Sequence, residues 1–167
     1  MSDTIKSTYL VDADADPVVV RVEGRACFQN SRCLRDFFTE MTRRGKTRFI
    51  LDLARCSSMD STFLGVLAGA ALELRNQTPP GTLAVRQAGP RNLELLQNLG
   101  LHRLLNVELG DYQAGECRAL ECPPEQDALE NTRLALEAHK NLCAADEANR
   151  ERFQDVLVFL QKRVEQG

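Results

Sequence analysis

The residues best suited to chemistry lie in one short stretch, Cys56-Ser57-Ser58-Met59-Asp60-Ser61-Thr62, between an apolar run at Phe49, Ile50, Leu51 and Leu53 and an apolar helical pattern from Leu64 to Leu74. Hydroxyls and a carboxylate just ahead of a helix are N-cap residues, because their oxygens accept hydrogen bonds from backbone N–H groups that the first turn leaves unpaired. The same place suits a phosphate, since the helix start offers those N–H groups and the positive end of the dipole. The stretch therefore reads either as a capping turn or as a turn whose hydroxyls accept a phosphoryl group. Asp52 and Asp60 are the best carboxylate pair. Placed at a strand end and a helix start, they are expected to approach one another and either order the loop through its N–H groups or receive a metal ion.

The flanking elements must hold that turn. Phe49 to Leu53 reads as a central strand covered on both faces. The helix after it is apolar all round and must be largely buried, with Gly65 and Gly69 offering a flat face for close approach to a sheet. Upstream, Ile5 to Val11 and Val18 to Val22 read as a strand pair around the acidic turn Asp12 to Pro17, with Gly24 ending the second. Asn30-Ser31 is expected to cap a helix carrying Leu34, Phe37, Phe38 and Met41 inward, with Arg35, Arg43 and Arg44 on its solvated face. Thr78-Pro79-Pro80-Gly81 stops the central helix before a strand from Thr82 to Arg86. Gly89-Pro90 then opens a helix with Leu93, Leu96 and Leu99 inward. Alternating strands and helices predict an α/β fold with helices packed on a sheet.

This order of elements resembles the STAS domain of the anti-sigma factor antagonists. The resemblance rests on the apolar strand with Asp52, Met59-Asp60-Ser61-Thr62, Leu64-Gly65-Val66-Leu67 and the small-residue helix. Downstream it includes Thr82 to Arg86, the segment PRNLELLQNLGL ending at Leu101, and a last strand at Leu104 to Val107. It spans roughly residues 4 to 108. The resemblance implies a mixed sheet of about five strands with packed helices, and a non-enzymatic, cytoplasmic partner-switching regulator of transcription controlled by Ser/Thr phosphorylation. Its partners would be an anti-sigma factor or a serine/threonine kinase-like protein, and a phosphatase. Ser61 is implied first as the phosphoacceptor and Thr62 second, with Asp52, Ser58, Met59, Asp60 and Phe63 as the switch loop. Phe63 stands where the family usually has Gly. The alternative is a STAS-like scaffold or ligand-sensing subunit of a larger assembly, without phosphorylation.

Composition agrees with a binding module. A net charge of -3 gives no general attraction for nucleic acid or anionic lipid. No Gly-rich phosphate loop, nucleophile elbow or His-based metal motif occurs, so no catalytic residues, metal or cofactor are expected. His102, beside a helix end, reads as structural. No apolar run approaches the ~20 residues that span a bilayer, and the acidic N-terminal stretch does not read as a secretory signal. The six cysteines show no zinc spacing and are expected as free thiols, with Cys117 and Cys122 spaced to permit a disulfide.

The domain organisation expected is a STAS-like domain at 1-109, a connector at 110-124 and a helical extension at 125-167. Leu129, Leu136, His139 and Cys143 share one helical face, and Phe153, Val156, Leu157, Leu160 and Val164 another. A break near Ala144 to Asp146 predicts a helical hairpin. Its stripes are expected to pack on the sheet domain or to form a homodimer or partner interface.

Overall fold

The computed structural model describes residues 8–123 and 127–167. Six strands, β1 (Tyr9–Asp12), β2 (Val18–Ala26), β3 (Arg48–Met59), β4 (Thr82–Arg86), β5 (Asn106–Glu108) and β6 (Arg118–Ala119), form one sheet in the order β5-β4-β3-β2-β1-β6. The acidic turn joins β1 and β2 as an antiparallel pair. The pairs from β2 through β5 are parallel and need crossovers, which α1 (Phe28–Arg43) supplies between β2 and β3 and α2 (Ser61–Arg75) between β3 and β4. The sixth strand, one more than expected, is a two-residue segment that pairs antiparallel with β1. Residues 5–7 of the expected first strand lie outside the described residues.

The apolar patterns meet in one core. Phe49, Leu51 and Leu53 of β3 are buried, as are Leu34, Phe37, Phe38 and Met41 of α1. Phe38 packs edge-on to Phe49 with ring centroids 5.4 Å apart. Arg43 and Arg44 instead hold the half-exposed Glu40 at the surface, as a solvated face should. α3 (Pro90–Asn98) begins at its proline and buries Leu96, and Gly100 turns the chain at φ 73 into a short 3-10 turn that buries Leu101. That left-handed conformation favours glycine.

Two expectations about the central strands need correction. β2 passes Gly24 and ends at Ala26, with register shifts against β3 around Gly24, whose φ is +81. β3 runs to Met59, so Ser58 and Met59 belong to a strand rather than a loop. The cause is tertiary: the β2 extension provides partners for Ser58 at Arg25 and for Met59 at Ala26. A pair of serines that looks like turn chemistry is held in a ladder, with Cys56 and Met59 buried and Ser57 and Ser58 exposed.

The cysteine expectation also fails in part. Cys33 on α1 and Cys122 are joined in a disulfide across 89 residues, with Cα atoms 5.5 Å apart. Cys117 remains free, as do Cys27, Cys56 and Cys143. The segment after β5 folds back across β1 and brings Cys122 to α1, a proximity that cysteine spacing does not encode.

The C-terminal hairpin consists of α4 (Ala128–Ala145) and α5 (Asn149–Gln166). Asp127 caps α4 by accepting from the Leu129 N–H, and Asp146 accepts from the Ala148 N–H at the turn. Buried Asn149 donates to the carbonyls of Leu99 and Leu142, pinning the hairpin turn to the end of α3. Asn131, Leu134, Ala135, Ala138, His139 and Leu142 are buried on α4 at helical spacing. α5 buries only Asn149, and Val158 and Phe159 are 51% and 60% exposed. No helix among the described residues is long and apolar enough to cross a membrane.

Candidate functional site

Asp60 organises the N-terminal ends of two helices. It caps α2 by accepting the Phe63 N–H at Oδ1, 2.9 Å, and takes the Phe28 N–H at the start of α1 at Oδ2, 2.7 Å. Its own N–H donates to the Ala26 carbonyl, fixing the end of β3 to the end of β2. One carboxylate thus satisfies an unpaired donor from each helix, and both dipoles favour its charge. Asp60→Ala should cost about 1–3 kcal/mol, with Asp60→Asn restoring part, because an amide offers one acceptor oxygen where two are used. Urea midpoints rank the three chains; an unchanged midpoint in Asp60→Ala would remove this role.

Around Asp60 the packing is tight. Phe63 is 0% exposed and stacks on Tyr9, with ring planes 8° apart and centroids at 6.5 Å. The Tyr9 hydroxyl donates to Asn30 Oδ1, which also receives the Cys27 N–H. Asn30 therefore serves the start of α1 by reaching back to Cys27, which occupies the cap position expected for Asn30-Ser31. Burial pushes the Tyr9 phenol well above its ordinary range, so it stays a neutral donor. Burial likewise raises the Cys56 thiol.

Asp52 is not part of this site. It lies mid-strand in β3, eight positions before Asp60, a contour of at most about 26 Å at about 3.3 Å per residue. Its buried carboxylate accepts the Ala54 N–H at 3.0 Å and the Gln87 amide at 3.3 Å, with Arg21 Nε 3.9 Å away. The expected carboxylate pair is therefore corrected: the long β3 separates the two. Among the described residues no cluster of three or more His, Cys, Asp or Glu side chains could hold a metal ion.

The two implied phosphoacceptors differ in setting. Thr62 is buried, 5% exposed. Ser61 is half-buried at the first position of α2, and its Oγ lies 2.8 Å from His139 Nε2 on α4. The other ring nitrogen, Nδ1, lies 2.7 Å from the Ala135 carbonyl. A carbonyl only accepts, so Nδ1 carries a proton, and in the neutral imidazole Nε2 accepts from the Ser61 hydroxyl. Phe153 of α5 packs edge-on to the His139 ring at 5.2 Å.

α4 comes this close because α2 has glycines where the helices cross. A Cβ at Gly65 would run into the Ala138 backbone, and one at Gly69 into the Asn141 side chain. The Asn141 amide donates to the Gly65 carbonyl at 3.3 Å. The flat face expected to meet a sheet instead meets a helix. Helical spacing puts His139 on an apolar stripe and carries no link to Ser61, 78 residues away.

The family model described as "Mlab, STAS domain" matches residues 9–106. No curated protein matches the chain. Among solved structures, an anti-sigma factor antagonist from Mycobacterium paratuberculosis superposes with a TM-score of 0.53 at 22% identity, covering 64% of this chain and 89% of its own. The Bacillus cell fate determinant SpoIIAA in its phosphorylated form gives 0.52 at 21% identity, covering 62% and 91%. The unphosphorylated anti-sigma factor antagonist SpoIIAA gives 0.51 at 20% identity, covering 63% and 89%. These likenesses are of fold. The family match ends before α4 and α5, so the helix that supplies His139 lies beyond it.

Proposed function

Because the chain belongs to the STAS domain family through residues 9–106, we propose that it is a non-enzymatic partner-switching regulator of the anti-sigma factor antagonist kind, controlled by phosphorylation of Ser61. It acts in the cytoplasm on an anti-sigma factor or a serine/threonine kinase-like partner, with a phosphatase resetting it. The observation that carries this reading is the placement of the Ser61 hydroxyl. It stands at the first position of α2, beside the Asp60 cap and at the surface where the starts of α1 and α2 converge. Thr62 ranks second because its burial withholds it from an enzyme. Phe63 does not obstruct, since its ring is turned inward against Tyr9.

In the transfer, Ser61 Oγ forms a bond to the γ-phosphorus of a nucleoside triphosphate, the bond to the departing diphosphate breaks, and the kinase takes the hydroxyl proton. The product adds about two negative charges at this surface and repels an acidic or apolar partner face. Ser61→Asp is expected to weaken the partner complex and Ser61→Ala to preserve it. Equal affinity of wild type and both variants in a titration against the partner captured from the native host would remove Ser61 as the switch.

The second reading, a scaffold without phosphorylation, is favoured by the cover that His139 places on Ser61. A homodimer formed by the C-terminal helices would use α5, where Val158 and Phe159 are exposed. Intact-mass measurement of the protein from native cells, with and without phosphatase treatment, separates the readings. A phosphate mapped to Ser61 supports the switch, and its consistent absence across stress conditions supports the scaffold.

A further inference from the structure

We infer that α4 is a tethered ligand for the face of α2 that bears Ser61, and that His139 bars the seated helix from coexisting with a phosphate on Ser61. This inference deepens the reading of Ser61 as phosphoacceptor and rests on it. The α2 face is built to receive one kind of helix. Gly65 admits a backbone carrying only a small side chain, met by Ala138, and Gly69 admits the amide of Asn141. α4 has the features this face takes: a small residue at the crossing, an amide three residues later that reaches the Gly65 carbonyl, and an apolar stripe with Leu134 and Leu142.

With α4 seated and Ser61 in the rotamer that meets His139, a phosphate has no room. Ser61 Oγ and His139 Nε2 are at hydrogen-bond distance, 2.8 Å, so in this rotamer a phosphorus and its outer oxygens would occupy the volume of the imidazole, and turning the half-exposed side chain toward solvent gives up the bond to His139. The ring cannot swing aside freely: it is 4% exposed, Nδ1 is bound to the Ala135 carbonyl, and Phe153 closes one side. Nor can the helix slide, because Ala138 rests on Gly65. A protonated imidazole would attract the phosphate, yet it too would have to move to admit it. Lys140, the neighbouring cation on α4, lines the groove toward α5 rather than this contact. Asp60, one residue away, adds repulsion.

Seating and modification are therefore linked. Whatever free energy α4 contributes by covering Ser61 opposes the modified state, so the phosphorylation equilibrium is disfavoured by the same factor that phosphate loosens α4. The C-terminal hairpin then acts as an intrachain cover: Ser61 is covered while α4 is docked, and the α2 face is uncovered once Ser61 is modified.

The test installs phosphoserine at position 61 of the full chain by genetic encoding and follows amide hydrogen exchange by peptide mass. Exchange across residues 131–142 is expected to rise at least ~10-fold over wild type, while β2 and β3 keep their protection and phosphatase treatment restores the helix. Ser61→Ala, which removes the hydroxyl but leaves room, is expected to keep α4 protected within about threefold. Unchanged α4 exchange in the phosphoserine chain overturns the inference. So does a rise shared equally by β2, β3 and α4, because the phosphate would then loosen the whole domain rather than release one helix. No kinase enters this measurement. Absence of phosphate in native cells would sink the proposed function and leave the exchange result standing, and unchanged exchange would sink the lock even where cells phosphorylate Ser61.

Discussion

A chain ended before Asp127 is expected to melt at markedly lower temperature than the full-length protein and to bind an apolar dye through α2. Leu134, Ala138 and Leu142 leave the core together in that truncation, and Val66 and Ala70 of α2 lose their cover beside Phe38. Burying a single leucine is worth about 1.5–3 kcal/mol, and a typical domain has only about 5–15 kcal/mol in total. The shorter chain no longer orders two helices, which returns conformational entropy and makes the net loss smaller than the summed burial. The uncovered α2 face remains, however, and nothing in the entropy term hides it. The hairpin also forfeits the two hydrogen bonds of Asn149, one of which ties it to the Leu99 carbonyl. Scanning calorimetry over a range of concentrations checks the result. A truncation that stays soluble with unchanged melting would make the hairpin an independent appendage; melting of the full chain that rises with concentration would show a second copy contributing.

Gly65→Ala is expected to destabilise by about 1–3 kcal/mol despite improving the helix. Alanine gains up to about 1 kcal/mol in helix propensity over glycine. Against this stands an added methyl directed into the Ala138 backbone, which no side-chain rotation can relieve. Either α4 moves away, losing the Ser61–His139 and Asn141–Gly65 hydrogen bonds, or α2 shifts against the sheet. Gly69→Ala provides the contrast: its methyl meets the end of the Asn141 side chain, which can turn away at the cost of one long hydrogen bond. There the propensity gain and the lost bond nearly cancel. Chemical denaturation of the two variants therefore should separate them clearly. A Gly65→Ala chain as stable as wild type would mean that the two helices do not meet at this crossing.

The pattern of elements was legible because it is written in local periodicity. Leu34, Phe37, Phe38 and Met41 recur at helical spacing, Phe49 to Leu53 is too short and too apolar for anything but a covered strand or a buried helix end, and Pro79-Pro80-Gly81 punctuates the chain between α2 and β4. A cap of α2 within Cys56 to Thr62 was legible for the same reason, since a cap acts within one turn of its own position, and the structure assigns it to Asp60. Its second bond, to the Phe28 N–H 32 residues earlier, was not.

Periodicity states that a face is buried but not what buries it. The glycines of α2 announced a close approach, and only the fold assigned that approach to α4 rather than to the sheet. Ser58 and Met59 became strand because β2 extends beside them, and Asp52 was separated from Asp60 by the same extension of β3. Cys33 and Cys122 stand 89 residues apart, and Ser61 and His139 stand 78 apart. A hydrogen bond or a disulfide needs two groups within a few ångströms, and over such separations that proximity comes from the summed packing of every intervening element. The sequence by itself determined the strands, the helices and a serine beside a helix cap. Only the tertiary structure decided that a histidine from beyond the matched domain covers that serine.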